Sequence, residues 1–353
     1  MELLLTLASL GCFATTYFVD NTSGDDSNDG LSMKSAFATL NHATHQLKPG
    51  DELQIKPGKV YHESLEIRSG GKPGSPIVVK GNGSVLTGME PVPDDSWEKV
   101  EDDLWLSRNK GCWGALEPMV LDRTLKRISV ASHRSVKSER AKTLKPGEAM
   151  WNTDGIWYRA ESGETPVGAG LNGYYRESGV KLCGQSHVII EGIVSERFAN
   201  DGFNVHGSSH DIIFRNIEAR YNGDDGFSIH EDSETVVCKG WFHHNKDGIA
   251  DIQTSQSRYY DVIVEHNELY GVGFWGGFRA MRDCVVRQNG GEQIFLRRGK
   301  PSKKSKNKEP NDMHIAHGYF TNVRVEGVKG KLLNAYESCT ATAVDCELVE
   351  TCQ

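Results

Sequence analysis

Between residues 200 and 297 the chain alternates apolar and polar positions in short bursts. Phe203-Asn-Val-His206, Phe227-Ser-Ile-His230, Ile249-Ala-Asp-Ile252, Val272-Gly-Phe-Trp275 and Ile294-Phe-Leu-Arg297 each read as a short strand with one face turned inward. An asparagine precedes each burst, at 200, 222, 245, 267 and 289, in steps of 22, 23, 22 and 22 residues. Val180–Cys183 fits one turn earlier, and Leu332–Ala335 fits one turn later, after an insertion of roughly 15 residues. A second apolar burst follows in each unit, as in Val188-Ile-Ile190, Ile212-Ile-Phe214, Val236-Val-Cys238 and Val285-Val286. A unit of fixed length repeated this often is a rung of a solenoid, because one rung cannot bury its own apolar face and a stack can. The pattern predicts an all-β fold, a right-handed parallel β-helix of at least seven rungs from about 180 to 350, with the asparagines in one turn column. A twisted β-sandwich is the alternative, and five in-register asparagines argue against it.

Ahead of the rungs, Tyr17–Asp20 reads as a strand and Asn21–Gly30 as a polar, Asx-rich turn. Phe37, Leu40, Ala43 and Leu47 fall at helical spacing, which predicts a helix over Ala36–Leu47 behind Ser35 as N-cap. Two strands, Glu52–Ile55 and Ser64–Ile67, follow. A helix placed there would close the open end of a solenoid. Residues 86–178 break the rung pattern and predict an inserted β-rich subdomain, with a hairpin around Asp154-Gly155. Its tryptophans, at 97, 105, 113, 151 and 157, fit a core better than a sugar platform. The chain thus divides into a signal segment (1–14), a cap with first rungs (15–85), the insertion (86–178) and the main rungs (179–353).

Composition narrows the class. The 353 residues carry 38 glycines, which suits a turn-rich β protein. A net charge of −8 disfavours nucleic acid as a partner, and no apolar run reaches membrane-span length. The apolar run Leu3–Phe13 followed by Ala14-Thr-Thr predicts a secretory signal, hence a secreted, periplasmic or cell-surface protein; a monomer is expected separately. The eight cysteines contain no C-x-x-C pair; Cys238 and Cys284 read as core residues, and Cys339, Cys346 and Cys352 are left open to pairing.

Acids recur at one corner of the repeat: Asp201, Asp224, Asp225 and Asp247. Stacking would gather Asp201, Asp224 and Asp225, and several carboxylates at one point suit a hard cation, Ca²⁺. The outward strand positions carry Lys181, Asn204, His206, Ser228, His230, Trp275, Phe295 and Arg297. Histidines, cations and exposed rings are what a saccharide groove uses. Asn204, Trp275, Phe295, Arg297 and Asp247 are therefore candidate substrate contacts. His230, His206 and Lys181 are candidate bases, and Glu231 is expected to orient His230. A basic insertion at 297–312, with seven Lys and Arg, is either a solvated loop or an attractor for an anionic polymer. Asp251 falls at an inward position, so either the register slips there or the acid is buried with a partner.

Y-F-V-D-N-T-S-G-D-D-S-N-D-G, A-F-A-T-L, L-K-P-G-D-E-L-Q-I and G-S-P-I-V-V-K, over 17–85, resemble the opening of secreted β-helix polysaccharide enzymes. The chain is similar there to polysaccharide lyase family nine and to some β-helix glycosidases. The lyase resemblance implies that the D-G-F and D-D-G-x-D rungs bind calcium; the matching residues are Asp201, Asp224 and Asp225, with Ser228 at the motif's last position. The family's lysine base, in a G-F-K phrase, has no match in Gly248-Ile-Ala250 or Gly273-Phe-Trp275. A base would then come from His230, His206 or Lys181. N-D-G-F followed by N-G-D-D-G also resembles polygalacturonases, but Asp247-Gly248 stands where that family has H-G. The expected function is a calcium-assisted lyase on an acidic polysaccharide. A glycoside hydrolase with paired carboxylates and a non-catalytic carbohydrate-binding or structural solenoid are the alternatives.

Overall fold

The computed structural model describes residues 14–108, 119–132, 135–300 and 314–351. Residues 1–13 of the expected signal segment, Trp113, Cys352 and most of the basic insertion lie outside the described residues.

The main body is a right-handed parallel β-helix. Its front sheet has eight parallel strands in the order Leu65–Glu66, Val180–Cys183, Phe203–His206, Asp225–Ile229, Asp247–Ile252, Val272–Trp275, Ile294–Arg297 and Leu333–Ala335. These are the strands that the alternation predicts. The other two faces form a 15-stranded sheet. In its early rungs one long strand covers both faces, as in Ile212–Arg220, and bends at a left-handed residue: Gly192, Asn216 and Lys239 have φ of 66°, 50° and 62°. Asp261 and Asp283 occupy the same corner later, with φ of 55° and 56°. Gly, Asn and Asp tolerate that conformation best, which is why this corner is polar in sequence.

Inward residues make one continuous core, from Val19 to Cys339. Phe203, Phe227 and Phe214 pack ring on ring across rungs, with Phe214 edge-on to Phe227 at 5.2 Å between centroids. Asp251 is inside this core and the register does not slip. Its Oδ2 lies 3.0 Å from Nε of Arg279, both side chains being fully buried, and Tyr259 donates its hydroxyl to Oδ1 at 2.8 Å. A charge at that depth needs such a partner.

The asparagine column is a hydrogen-bonded ladder. Asn222 Nδ2 donates to Asn245 Oδ1 at 2.9 Å, Asn245 to Asn267 at 3.2 Å, Asn267 to Asn289 at 2.8 Å, and Asn289 to Gln293 Oε1 at 2.8 Å. The backbone N–H of each asparagine joins the same acceptor. The amide and backbone N–H groups of this column are thereby paired. Asn200 does not belong to it, contrary to the spacing. Phe198 stands at that position and gives its N–H to Asn222 Oδ1 at 3.0 Å, while Asn200 turns to Asp201. The rung there is longer, so the in-register residue lies two places earlier.

The cap differs in its bounds from the expectation. The helix is Leu40–Gln46 and Thr39, not Ser35, caps it, accepting from His42 N at 3.1 Å. Phe37 bridges to Val19 as extended chain. Leu40, Ala43 and Leu47 still bury into the core. Between Met89 and Tyr174 lie a five-stranded sheet and a three-stranded sheet. The hairpin Ala149–Asn152 and Gly155–Arg159 is present, and Trp151 and Trp157 are buried. Gly155 is obligatory there: its φ is 142°, and a Cβ would sit 2.0 Å from the Ser107 carbonyl oxygen. Cys183, Cys238, Cys284, Cys339 and Cys346 are free thiols. No helix among the described residues is long and apolar enough to cross a membrane.

Candidate active site on the front face

The front strands start at the acid corner, so stacking sets the acids one above another. Carboxylate oxygens of Asp201, Asp224 and Asp225 lie within 4.8 Å of one another. Asp201 is an acceptor on every side: Asn200 Nδ2 donates to Oδ2 at 2.9 Å, Asn204 Nδ2 donates to the same oxygen, and Asp225 N donates to Oδ1 at 3.2 Å. All these donors favour the ionised carboxylate, yet burial, and next the Asp224 charge, push its pKa up to about 8. Burial and the neighbouring aspartates raise Asp225 well above the usual range too. Such a corner calls for positive charge. Lys246 supplies one, 2.9 Å from Asp224 Oδ1. Asp247 is buried one rung on, accepts Tyr270 N at 3.1 Å, and is raised to about 6, chiefly by burial.

The three carboxylates offer only oxygen donors, and their separation suits Ca²⁺, whose ligand oxygens lie at about 2.3–2.6 Å. The residues therefore fit that ion.

From Asp225 a chain of hydrogen bonds runs along the rung. Ser228 Oγ donates to Asp225 Oδ2 at 2.8 Å and stands 3.0 Å from His230 Nε2. With its one proton given to Asp225, Ser228 accepts from His230, which fixes the Nε2–H tautomer and leaves the lone pair on Nδ1. His206 stacks beneath His230 at 4.0 Å between centroids, 14° from parallel. Burial first, then His206, lower the His230 pKa to about 3. Glu231 does not orient His230 as expected. Its backbone is left-handed, with φ of 55°, which turns the side chain back one rung to His206 Nδ1 at 3.1 Å and Gly207 N at 3.1 Å.

The remaining outward positions are placed as follows. Lys181 aligns with Asn204, and its Nζ is 3.9 Å from Glu177. Trp275 is half-buried at the far end of the groove. Phe295 points outward but is only 3% exposed, so it is not the open platform that alternation suggests. Tyr270 and Trp275 pack edge-on against it, at 5.0 and 4.9 Å, and the Arg297 guanidinium lies 4.7 Å from its centroid. Arg297 is also held by Glu292 at 3.0 Å.

Sequence reasoning missed Tyr270 and Lys246. Tyr270 rises from the turn before Val272 and places its hydroxyl 3.4 Å from Asp225 Oδ1, two rungs back. Neither residue repeats along the chain, so periodicity carries no sign of them; the available signal is their place in the turn beside the acids.

The family model described as "Right handed beta helix region" matches residues 175–309. No curated protein matches in sequence. Solved structures share the fold. A complex of XylC with xylose aligns at TM-score 0.56 and 13% identity, over 91% of this chain and 70% of that one. The pectate lyase Pel9A aligns at 0.53 and 12%, over 96% and 77%. A glycoside hydrolase aligns at 0.51 and 12%, over 95% and 97%. At such identities the likeness is one of fold.

Proposed function

We propose that this protein is a polysaccharide lyase that cleaves a uronic-acid polymer by β-elimination with calcium bound at Asp201, Asp224 and Asp225. The carrying observation is the acid corner: three carboxylates converge on the groove, surrounded by donors that keep Asp201 an acceptor, with one lysine as counter-charge. Bound there, calcium would neutralise the sugar carboxylate and so acidify the adjacent C–H. Likeness to enzymes named pectate lyase and glycoside hydrolase supports a carbohydrate substrate.

The stacked histidines are the candidate bases. His230 Nε2 is two hydrogen bonds from Asp225, so a single sugar spans both groups. His206 suits proton abstraction better. Glu231 accepts from its Nδ1, which leaves the Nε2 lone pair free and stabilises the imidazolium that forms. His230 stays neutral above its lowered pKa and serves as the stacking and hydrogen-bonding neighbour. Lys181, Asn204 and Arg297 rim the groove and would hold further acidic sugars.

A hydrolase is favoured by one observation, the unlike surroundings of two neighbouring carboxyls: burial raises Asp201 to about 8, whereas Asp224 pairs with Lys246 at 2.9 Å. Digestion of pectic and alginate-type polymers, followed by the ultraviolet absorbance of unsaturated uronates and by reducing ends, separates the readings. Both signals rise for a lyase; reducing ends alone mean hydrolysis; neither means that the groove binds without cleaving.

A further inference from the structure

Around the corner from the acids, on the third face, a second set of ligating side chains stands apart from the groove. His243 ends the strand Glu234–His243, and His244 follows in the left-handed conformation, with φ of 54°. That bend brings the two rings together: Nδ1 of His243 and Nδ1 of His244 are 2.8 Å apart. On its far side His243 Nε2 is 3.2 Å from Glu218 Oε1, and Arg220 holds the same oxygen at 2.6 Å. Glu218 is thus a fixed acceptor. It sets the Nε2–H tautomer of His243 and leaves a lone pair on Nδ1, facing His244.

A carboxylate on one imidazole nitrogen, with the other nitrogen aimed at a second imidazole, is the outer support that metal-binding histidines use. His266 occupies the same turn one rung on, also left-handed at φ 55°, with its ring centroid 5.4 Å from that of His244. His243 is buried, whereas His244 and His266 are exposed. Trp241, stacked on His243 at 4.0 Å, walls the site.

We propose that His243 and His244 bind a divalent transition-metal ion of the Zn²⁺, Ni²⁺ or Cu²⁺ class through their Nδ1 atoms, with solvent in the remaining coordination positions. At a Zn–N bond of about 2.0–2.1 Å, two donors of a tetrahedral ion lie about 3.3 Å apart. The pair therefore needs to open by about half an ångström, and the proton between the two nitrogens moves, by exchange with solvent, to Nε2 of His244, so that the ring stays neutral and both Nδ1 lone pairs face the ion. Imidazole donors select this class, and oxygen-only donors at the aspartate corner select Ca²⁺, so the two sites divide the metals between them. The site is independent of the lyase reading.

The test is Zn²⁺ titration of the untagged protein by calorimetry, with Ca²⁺ in saturating excess. One Zn²⁺ per chain is expected. His244→Ala should weaken binding at least tenfold with unchanged melting, and Glu218→Gln should weaken it by about 10–100-fold through His243. Asp225→Asn should leave it unchanged. No Zn²⁺ binding, equal affinity in the His244 variant, or loss in the Asp225 variant would overturn the assignment.

Discussion

Glu231 accepts a hydrogen bond from His206, one rung below, and not from His230, its neighbour in the chain. In the proposed reaction the base and its orienting carboxylate would therefore come from different rungs, which only the stacked fold brings together. His206→Ala should lower turnover by about 10² or more with folding intact. Glu231→Gln should lower it less, and should shift the pH–rate profile, because the imidazolium loses its counter-charge. Full turnover in the His206 variant, with loss in His230→Ala, would transfer the base role to His230.

The acid corner, as the proposed calcium site, predicts a pH-dependent effect of calcium. The Asp201 carboxyl is raised to about 8, by burial and next by Asp224. A raised carboxyl pKa gives stability that is complete below the unfolded value of 3.8 and is lost as pH rises through 8. His230 acts at the other end: lowered to about 3, it contributes stability above its unfolded value of 6.5 that is lost as pH falls towards 3. Calcium should therefore raise Tm more at pH 8 than at pH 5, where the carboxyls hold protons. Equal shifts at both pH values would count against the aspartates as ligands, and Asp225→Asn should abolish the difference.

The ladder makes a prediction about stability. Asn245 is fully buried and joins Asn222 to Asn267. Asn245→Ala leaves buried donors and acceptors unpaired on both sides and should cost about 2–5 kcal/mol, at about 1–3 kcal/mol for each group orphaned. Asn200→Ala, off the ladder, should cost less than half as much. Denaturant unfolding compares the two; equal losses would restore Asn200 to the column.

The core ion pair behaves differently from its parts. Arg279→Met leaves Asp251 charged and alone in the core, and should destabilise by about 3–5 kcal/mol. Adding Asp251→Leu should recover most of that loss. A double variant no more stable than the single one would show that the pair contributes more than mutual compensation.

What was legible in the sequence is what repeats. The front strands, the asparagine column and the Asp201–Asp224–Asp225 convergence follow from a period of 22 to 24 residues, because stacking turns sequence period into spatial neighbours. Errors fell where one rung departs from its neighbours. Asn200 matches by counting, yet the longer rung puts Phe198 in register. Phe295 is outward by alternation, but a side chain from the preceding turn, Tyr270, lies against it. The partner of Asp251 lies 28 residues away on another face and obeys no period. Lys246 and Tyr270 complete the acid corner from turns whose side-chain directions the sequence does not state.

The most direct measurement of the central claim is the mass of the oligosaccharides released from a uronate polymer. β-Elimination leaves each new non-reducing end unsaturated, so those fragments are one water lighter than hydrolytic ones of the same length. The account predicts the water-light series, formed with calcium and suppressed by a chelator or by Asp225→Asn. A series at full hydrolytic mass, independent of calcium, would contradict it.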